Sequence, residues 1–395
     1  MLNRTSRLAV FVVISLTTAL NISAQTEQDS LSTTKKVKNA RFSILGGPGY
    51  TPDYGILLGG SMLVTFQANK LKNDQPRSVL PLAFAVTLAK GGGFSATLRP
   101  QIFLNNDKIR LTGQFLYKNN PDNFYGIGYE TNKNTDRGLE SSGYKGQSLQ
   151  INPNVQFRLA QSKFYIGPMI NFTYDQMNRL SAGVFNQDGL KPYLSSDSTY
   201  EVISNGIGFS ASYDTRDIPS NAYKGIYFDL KTAYYGKFLG SDYNFGSIAI
   251  DYRQYLALPA LGPRRTLTWT VSSKNSFGNV PPTQLQFLGS PFDLRGYYNG
   301  QFRDKSAHAM VAEYRHMFNP TGQTKFHKLW SRIGFAGWAG LGLMGPTPVK
   351  IEGFLPNAGL GLRIQLQPRM NFRLDVGHGF GTNQTLIYFN MTEAF

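Results

Sequence analysis

Residues 94 to 104 read Phe94-Ser95-Ala96-Thr97-Leu98-Arg99-Pro100-Gln101-Ile102-Phe103-Leu104. Successive side chains of an extended chain point to opposite faces. Phe94, Ala96, Leu98, Pro100, Ile102 and Leu104 therefore share one face, and Ser95, Thr97, Arg99 and Gln101 the other. One face suits hydrocarbon and the other suits water. The same split recurs with Leu267, Trp269 and Val271 against Thr266, Thr268 and Thr270, and with Leu360, Leu362, Ile364 and Leu366 against Gly361, Arg363 and Gln365. Near the end Met370, Phe372, Leu374 and Val376 oppose Asn371, Arg373 and Asp375. A soluble sandwich alternates too, but its polar face seldom carries Arg, Asp or Lys in strand after strand while its apolar face ends in aromatics. Aromatic girdles at strand ends are what a membrane interface favours. The pattern predicts an all-β fold, a transmembrane antiparallel β-barrel.

Working outward from this stretch, strands are expected near 42–50, 54–66, 79–90, 94–104, 108–118, 146–159, 164–174, 202–213, 225–235, 243–256, 265–274, 306–318, 330–342, 357–366, 370–379 and 385–395. That is about sixteen, an even number, with roughly 23 residues per strand plus connection, as tilted strands of about ten residues between short turns and long loops require. With both termini periplasmic, the tight connections Asn105 to Asp107, Gln161 to Lys163 and Gln367 to Arg369 are periplasmic, and the long ones, 119–145, 175–201 and 275–305, are extracellular. The Gln67 to Ser78 connection is long for a periplasmic turn. Gly91-Gly92-Gly93 reads as a tight hairpin rather than a phosphate cradle, because no helix follows to contribute its positive end.

The ends of the chain set its compartment. Arg4 and Arg7 precede an apolar run from Leu8 to Leu20, and Ile22-Ser23-Ala24 closes it with a small residue. This reads as an export signal over residues 1–24, its apolar run too short for a membrane helix. Residues 25–40, polar and lysine-rich, read as a disordered periplasmic tether, and 41–395 as the outer-membrane barrel. The 395 residues include no cysteine, which excludes disulfides, thiolate metal sites and a cysteine nucleophile. The formal charge of +16, on an exported chain, points to outer-membrane lipids and lipopolysaccharide as partners rather than nucleic acid; the plainer reading is solubilising charge on loops.

The longest extracellular connection holds Phe287-Leu-Gly-Ser-Pro-Phe-Asp-Leu-Arg-Gly-Tyr297. Its Leu294-Arg295-Gly296-Tyr297 tetrad, after the eleventh predicted strand, resembles the lid-loop signature of the BamA/TamA-type superfamily of outer-membrane assembly factors and two-partner-secretion transporters, also called bacterial surface antigens. Tyr213-Asp-Thr-Arg-Asp-Ile-Pro-Ser-Asn-Ala-Tyr-Lys-Gly225 is similar to that family's periplasmic turn, with Asp214, Arg216, Asp217 and Gly225 as the matching residues. Asn123-Phe-Tyr-Gly-Ile-Gly128 resembles a phrase of the surface-antigen branch. Ile387, Phe389 and Met391, two apart, with the terminal Phe395, look like the C-terminal assembly signal of bacterial barrels, although Glu393 stands where an aromatic is usual.

The resemblance implies an inward-folded lid loop whose Arg295 pairs with carboxylates on strands twelve and thirteen. Glu313, in Ala312-Glu313-Tyr314-Arg315, matches the first. The second is expected near Gly337, where there is no acid, so one anchor is missing and Gly337→Asp is expected to tighten the lid. The resemblance further implies a barrel-only member lacking the periplasmic POTRA domains. Its work would be to insert or move proteins or lipids through a weak seam between the first and last strands, with periplasmic or outer-membrane partner proteins delivering substrate. The competing reading is a passive channel or structural surface barrel with a vestigial lid. For the residues themselves the plainer readings are an exposed loop arginine at Arg295, a water-facing lumen acid at Glu313 and turn capping at Asp214, Arg216 and Asp217. Inward charges such as Arg99, Asp229, Arg363, Arg373 and Asp375 could shape ion selectivity, although lumen polarity alone accounts for them. No catalytic residue, metal site or cofactor is expected: the four histidines, His308, His316, His327 and His378, form no nucleophile or zinc motif.

Overall fold

The computed structural model describes residues 40–66, 78–88, 91–219, 221–320, 322, 324–367, 370–390 and 392–395. The export signal, the tether up to residue 39, the long 67–77 connection and Met391 lie outside the described residues. The main sheet contains 17 strand segments. Two of them, Gly93–Leu98 and Gln101–Leu104, are halves of one strand interrupted at Arg99-Pro100, where proline has no N–H to give the ladder. Both halves keep one register against the next strand, Leu98 opposite Phe115 and Gln101 opposite Thr112. The barrel thus has sixteen strands.

These are β1 (Ala40–Thr51), β2 (Gly55–Phe66), β3 (Ser78–Thr87), β4 (Gly93–Leu98 with Gln101–Leu104), β5 (Ile109–Asn123), β6 (Gly143–Arg158), β7 (Phe164–Asn178) and β8 (Tyr200–Asp214), then β9 (Gly225–Tyr235), β10 (Phe245–Ala257), β11 (Arg265–Gly278), β12 (Ser306–Met317), β13 (Ile333–Gly345), β14 (Gly353–Gln367), β15 (Met370–Gly379) and β16 (Gln384–Asn390). Each pairs antiparallel with its chain neighbour. No helix among the described residues is long and apolar enough to cross a membrane. Crossing falls to the strands.

Burial is inverted relative to a soluble sandwich. Ile170, Ile207, Phe209, Leu267, Leu360 and Val376 are exposed, while Thr173, Asp175, Ser210, Thr268, Arg363 and Asp375 are buried. A sandwich would place those apolar side chains inside. A barrel in lipid turns them outward and satisfies its backbone by pairing strand to strand. β5 to β8 run to 15 or 16 residues, longer than the roughly ten needed to cross. At their loop ends lies a second core, in which Phe124, Met177, Val184, Leu190, Tyr200 and Val202 bury one another.

β16 ends at Asn390, not at Phe395 as the sequence reading expects. Ile387 is exposed on the outer face and Tyr388 is buried on the inner one, so the alternation holds to that point. Beyond it Glu393, Ala394 and Phe395 turn inside the barrel and are buried. Phe395 therefore leaves the outward row that Ile387 and Phe389 begin.

Candidate functional site in the barrel lumen

The β11–β12 connection folds back inside. A short ladder, Gln286–Leu288 with Phe302–Asp304, stiffens its base. Leu288, Leu294, Tyr297 and Phe302 pack with Val311, Trp338, Met344, Leu355 and Phe395. Phe302 stacks at 5.8 Å on Tyr129 of α1 (Tyr129–Asn134), in the β5–β6 loop. Asn132 of the same helix ties the Asn123–Gly128 phrase to this base: its Nδ2 donates to the Gly126 carbonyl at 2.8 Å, and its Oδ1 accepts from the Arg303 N–H at 2.7 Å.

At the tip, Arg295 has no exposed surface. Its Nη2 donates to Glu313 Oε2 at 2.5 Å and its Nη1 to Asp375 Oδ2 at 2.8 Å. Two carboxylates thus hold the guanidinium, one on β12 and one on β15. The second anchor is present, but it is Asp375 rather than an acid near Gly337. Gly337 lies opposite Tyr314 and Leu360 on the outer face, and a Cβ there would meet Leu360 at 3.2 Å. An acid at that position would face lipid, which overturns the expectation that Gly337→Asp tightens the loop. The inward neighbour on β13 is Trp338, whose ring lies 3.5 Å from the Arg295 guanidinium carbon and stacks under it.

The chain backbone is also gripped. Gly296 N–H donates to the Tyr388 hydroxyl at 2.8 Å, that hydroxyl donates to the Tyr297 carbonyl at 2.9 Å, and Asn357 Nδ2 donates to the Arg295 carbonyl at 2.8 Å. Glycine at 296 is required twice over. Its φ is +119°, and a Cβ would come within 2.5 Å of the Gly379 nitrogen. Gly377 answers it from the wall, because a side chain there would lie 2.7 Å from the Arg295 carbonyl. The loop therefore sits against bare backbone.

Around Arg295 the carboxylates are shared. Glu313 Oε1 accepts from Arg315 Nε at 2.7 Å and from Arg363 Nη2 at 3.5 Å. Asp375 accepts from Arg363 Nη1 at 2.6 Å and Arg373 Nη1 at 2.8 Å. Arg363 Nε in turn reaches Glu393 Oε2 at 2.9 Å, and Arg315 Nη2 donates to the Phe395 carbonyl at 2.9 Å. Arg373 Nη2 donates to the loop's Pro291 carbonyl at 2.9 Å. The inward-turned tail and the inward-turned loop thus meet in one charged cluster. Glu393 lies on that tail, where burial acts to raise its carboxyl and the Arg363 and Arg315 charges outweigh it, holding it below the usual range.

The residues of the expected periplasmic turn do not join this cluster. Arg216 forks onto Asp214 at 3.0 and 2.8 Å and lies over the Tyr227 ring at 4.2 Å, while Asp217 accepts from the Tyr223 N–H at 3.0 Å. Gly225 ends the turn at φ +113°. These residues staple their own turn. Ile387 and Phe389 face outward, and neither touches the cluster in the lumen.

Asp375, Trp338, Arg363, Arg373 and Glu393 escape the sequence reading as site residues. The signal for the first is Asp375-Val376-Gly377, an acid followed on the same inward face by a glycine, charge and space supplied side by side. Among the described residues no group of His, Asp and Glu is arranged to hold a metal ion.

A family model described as the Omp85 superfamily domain matches residues 98–385. Among solved structures, the chain is similar to BamA from Haemophilus ducreyi lacking POTRA domains 1-3, at a TM-score of 0.60 and 13% identity, covering 91% of this chain and 71% of that one. It is also similar to CdiB from Acinetobacter baumannii, at a TM-score of 0.54 and 12% identity, covering 91% of this chain and 61% of that one. At such identities these likenesses concern the fold, and the chain spans less than two thirds of CdiB. No curated protein matches it in sequence.

Proposed function

The chain belongs to the Omp85 superfamily, and from that premise we propose that it inserts or moves outer-membrane components, proteins or lipids, through the seam between β1 and β16, with a partner protein delivering substrate. It is an outer-membrane barrel of the assembly and translocation type. The observation that carries the finer reading is the contrast at the seam. β1 pairs with β2 along its whole length, Ala40 opposite Phe66 through to Thr51 opposite Gly55. Between β1 and β16, by contrast, no ladder joins the described residues, although the rings of Tyr50 and Phe389 lie 6.1 Å apart. Unpaired strand edges accept a further strand.

The loop bridges that seam from inside. Tyr388 and Gln384 of β16 hold it through Gly296 and Gln301, and Asp53, in the β1–β2 turn, accepts from the Asn299 N–H at 2.9 Å. In this reading the loop is a lid whose grip on both sides keeps the seam shut until substrate arrives. A lumen filled by the loop and the tail speaks against a passive channel. The test is depletion of the protein in its own cells, followed by quantitation of outer-membrane proteins, phospholipid and lipopolysaccharide. Loss of one of these classes supports the proposal; an unchanged outer membrane after complete depletion contradicts it.

A further inference from the structure

The β12–β13 connection, at the barrel end opposite the folded-in loop, carries a short amphipathic helix, α2 (Lys325–Trp330), that the lumen cluster does not use. Thr324 caps it by accepting from the His327 N–H. At about 100° per residue, Phe326, Leu329 and Trp330 fall on one side, and Lys325 and Lys328 fall together on the adjoining one. The apolar side is not packed away: Phe326 is 68% exposed, Leu329 53% and Trp330 41%. A small helix facing water with three such residues on one side would be a liability.

The position of the helix says what covers it. Tyr314 and His316 of β12 and Phe335 of β13 lie on the outer, lipid-facing wall, and His316 stacks on Phe335 at 4.9 Å. Phe318 packs on His316 at 5.1 Å, Trp330 stacks on Phe318 at 5.1 Å, and Phe326 stacks on Trp330 at 6.1 Å. One column of rings thus runs from the lipid-facing wall out onto the helix. The neighbouring β10–β11 turn extends the same patch. Arg264 donates to the Phe318 carbonyl, and Leu261 is exposed beside it. Neither 256–265 nor 318–332 contains an Asp or Glu, whereas together they carry Arg264, Arg265, Lys325, Lys328 and Arg332. Aromatics continuous with the hydrocarbon face, bordered by cations with no acid in either segment, match the acyl and phosphate layers of an anionic leaflet.

We propose that α2 and the adjoining β10–β11 turn form an interfacial anchor that binds anionic phospholipid of the periplasmic leaflet, with Phe326, Leu329 and Trp330 among the upper acyl chains and Lys325, Lys328 and Arg332 on the phosphates. The anchor fixes β11 and β12, the strands flanking the β11–β12 loop, at a set depth. The chain has three tryptophans; Trp338 is buried in the lumen, so Trp269→Phe leaves Trp330 as the one on the outside.

The experiment reconstitutes that variant in nanodiscs of phosphatidylcholine, with and without phosphatidylglycerol, and measures quenching by phospholipids brominated near the glycerol and by aqueous iodide. Trp269→Phe/Trp330→Phe supplies the baseline, and heat-modifiable gel migration confirms folding. Bromolipid quenching of the Trp330 component with little iodide quenching is expected. So is phosphatidylglycerol co-purifying in excess over its bulk share, an excess lost in Lys325→Gln/Lys328→Gln/Arg332→Gln. Quenching by iodide alone would overturn the proposal and mark the helix as water-facing and open to a protein partner. Bromolipid quenching with no preference for phosphatidylglycerol would overturn the assignment to anionic headgroups.

Discussion

Arg295 and Glu313 are both without exposed surface, yet the two are not equivalent. Removing Arg295 leaves Glu313 with Arg315 and Arg363, and Asp375 with Arg363 and Arg373, so no carboxylate is stranded. Removing Glu313 deprives Arg295, Arg315 and Arg363 of a shared partner in a site with little water. Breaking a buried pair costs about 3 to 5 kcal/mol when a charge is left uncompensated. We expect Glu313→Ala to approach that range, and Arg295→Ala to cost about 1 to 3 kcal/mol, nearer the worth of charged hydrogen bonds. Both should make the β11–β12 loop protease-sensitive, with the double variant little worse than Glu313→Ala; additive losses in that cycle would mean that the pair contributes nothing. Asp375→Asn should release the loop as readily as Glu313→Gln, whereas Gly337→Asp should not tighten it. Asp53 adds a dependence on pH. Burial holds its carboxyl up at about 6. A carboxyl raised in the folded state favours that state when protonated, and the contribution is lost as pH climbs through the raised value. Asp53→Asn keeps an acceptor for Asn299, so it should protect the loop better than wild type at about pH 8 and no better at about pH 4, read as proteolysis rates.

Strands were legible because a bilayer imposes a period of two on them, and Gly225–Tyr235 and Met370–Gly379 stand where alternation places them. The ends of β5 to β8 were not, since beyond the bilayer both faces mix polar and apolar residues. The motif Leu294-Arg295-Gly296-Tyr297 was visible as local sequence, and Glu313 with it. Asp375 was not, because which lumen charge reaches the loop depends on how far the loop descends, and no local pattern states that. The tail misled for a related reason. Ile387 and Phe389 continue the alternation, and only Glu393, an acid on what would be the lipid face, marks the turn inward. Intact protein in planar bilayers should conduct little, and deletion of Phe287 to Asp304 should open a large, stable conductance; a large steady current from the wild type would return the passive channel to favour. Since Arg363 joins Glu393 to Asp375, Glu393→Gln or removal of Thr392 to Phe395 should raise the protease sensitivity of the β11–β12 loop, although the two segments enter the lumen from opposite ends. Unchanged protection would uncouple them.

At the scale of the molecule, an inversion and a gap govern behaviour. Apolar side chains outside and charged ones inside make the barrel a creature of lipid, so it should fractionate with outer membranes, give a β-dominated circular dichroism spectrum and migrate differently on gels when unheated. The gap is the seam. Every strand from β2 to β15 has a ladder on each side, whereas β1 and β16 each show one among the described residues. That difference is where a low barrier to opening would lie, since the work of parting two strands scales with the backbone bonds between them. The chain has no cysteine of its own, which makes the decisive measurement clean: Tyr50→Cys/Phe389→Cys, oxidised in cells in which it is the only copy, with outer-membrane protein and lipid content followed before and after reduction. The account predicts that the stapled barrel folds, fails to support outer-membrane composition and recovers on reduction. A fully cross-linked barrel that maintains that composition as well as wild type would contradict it.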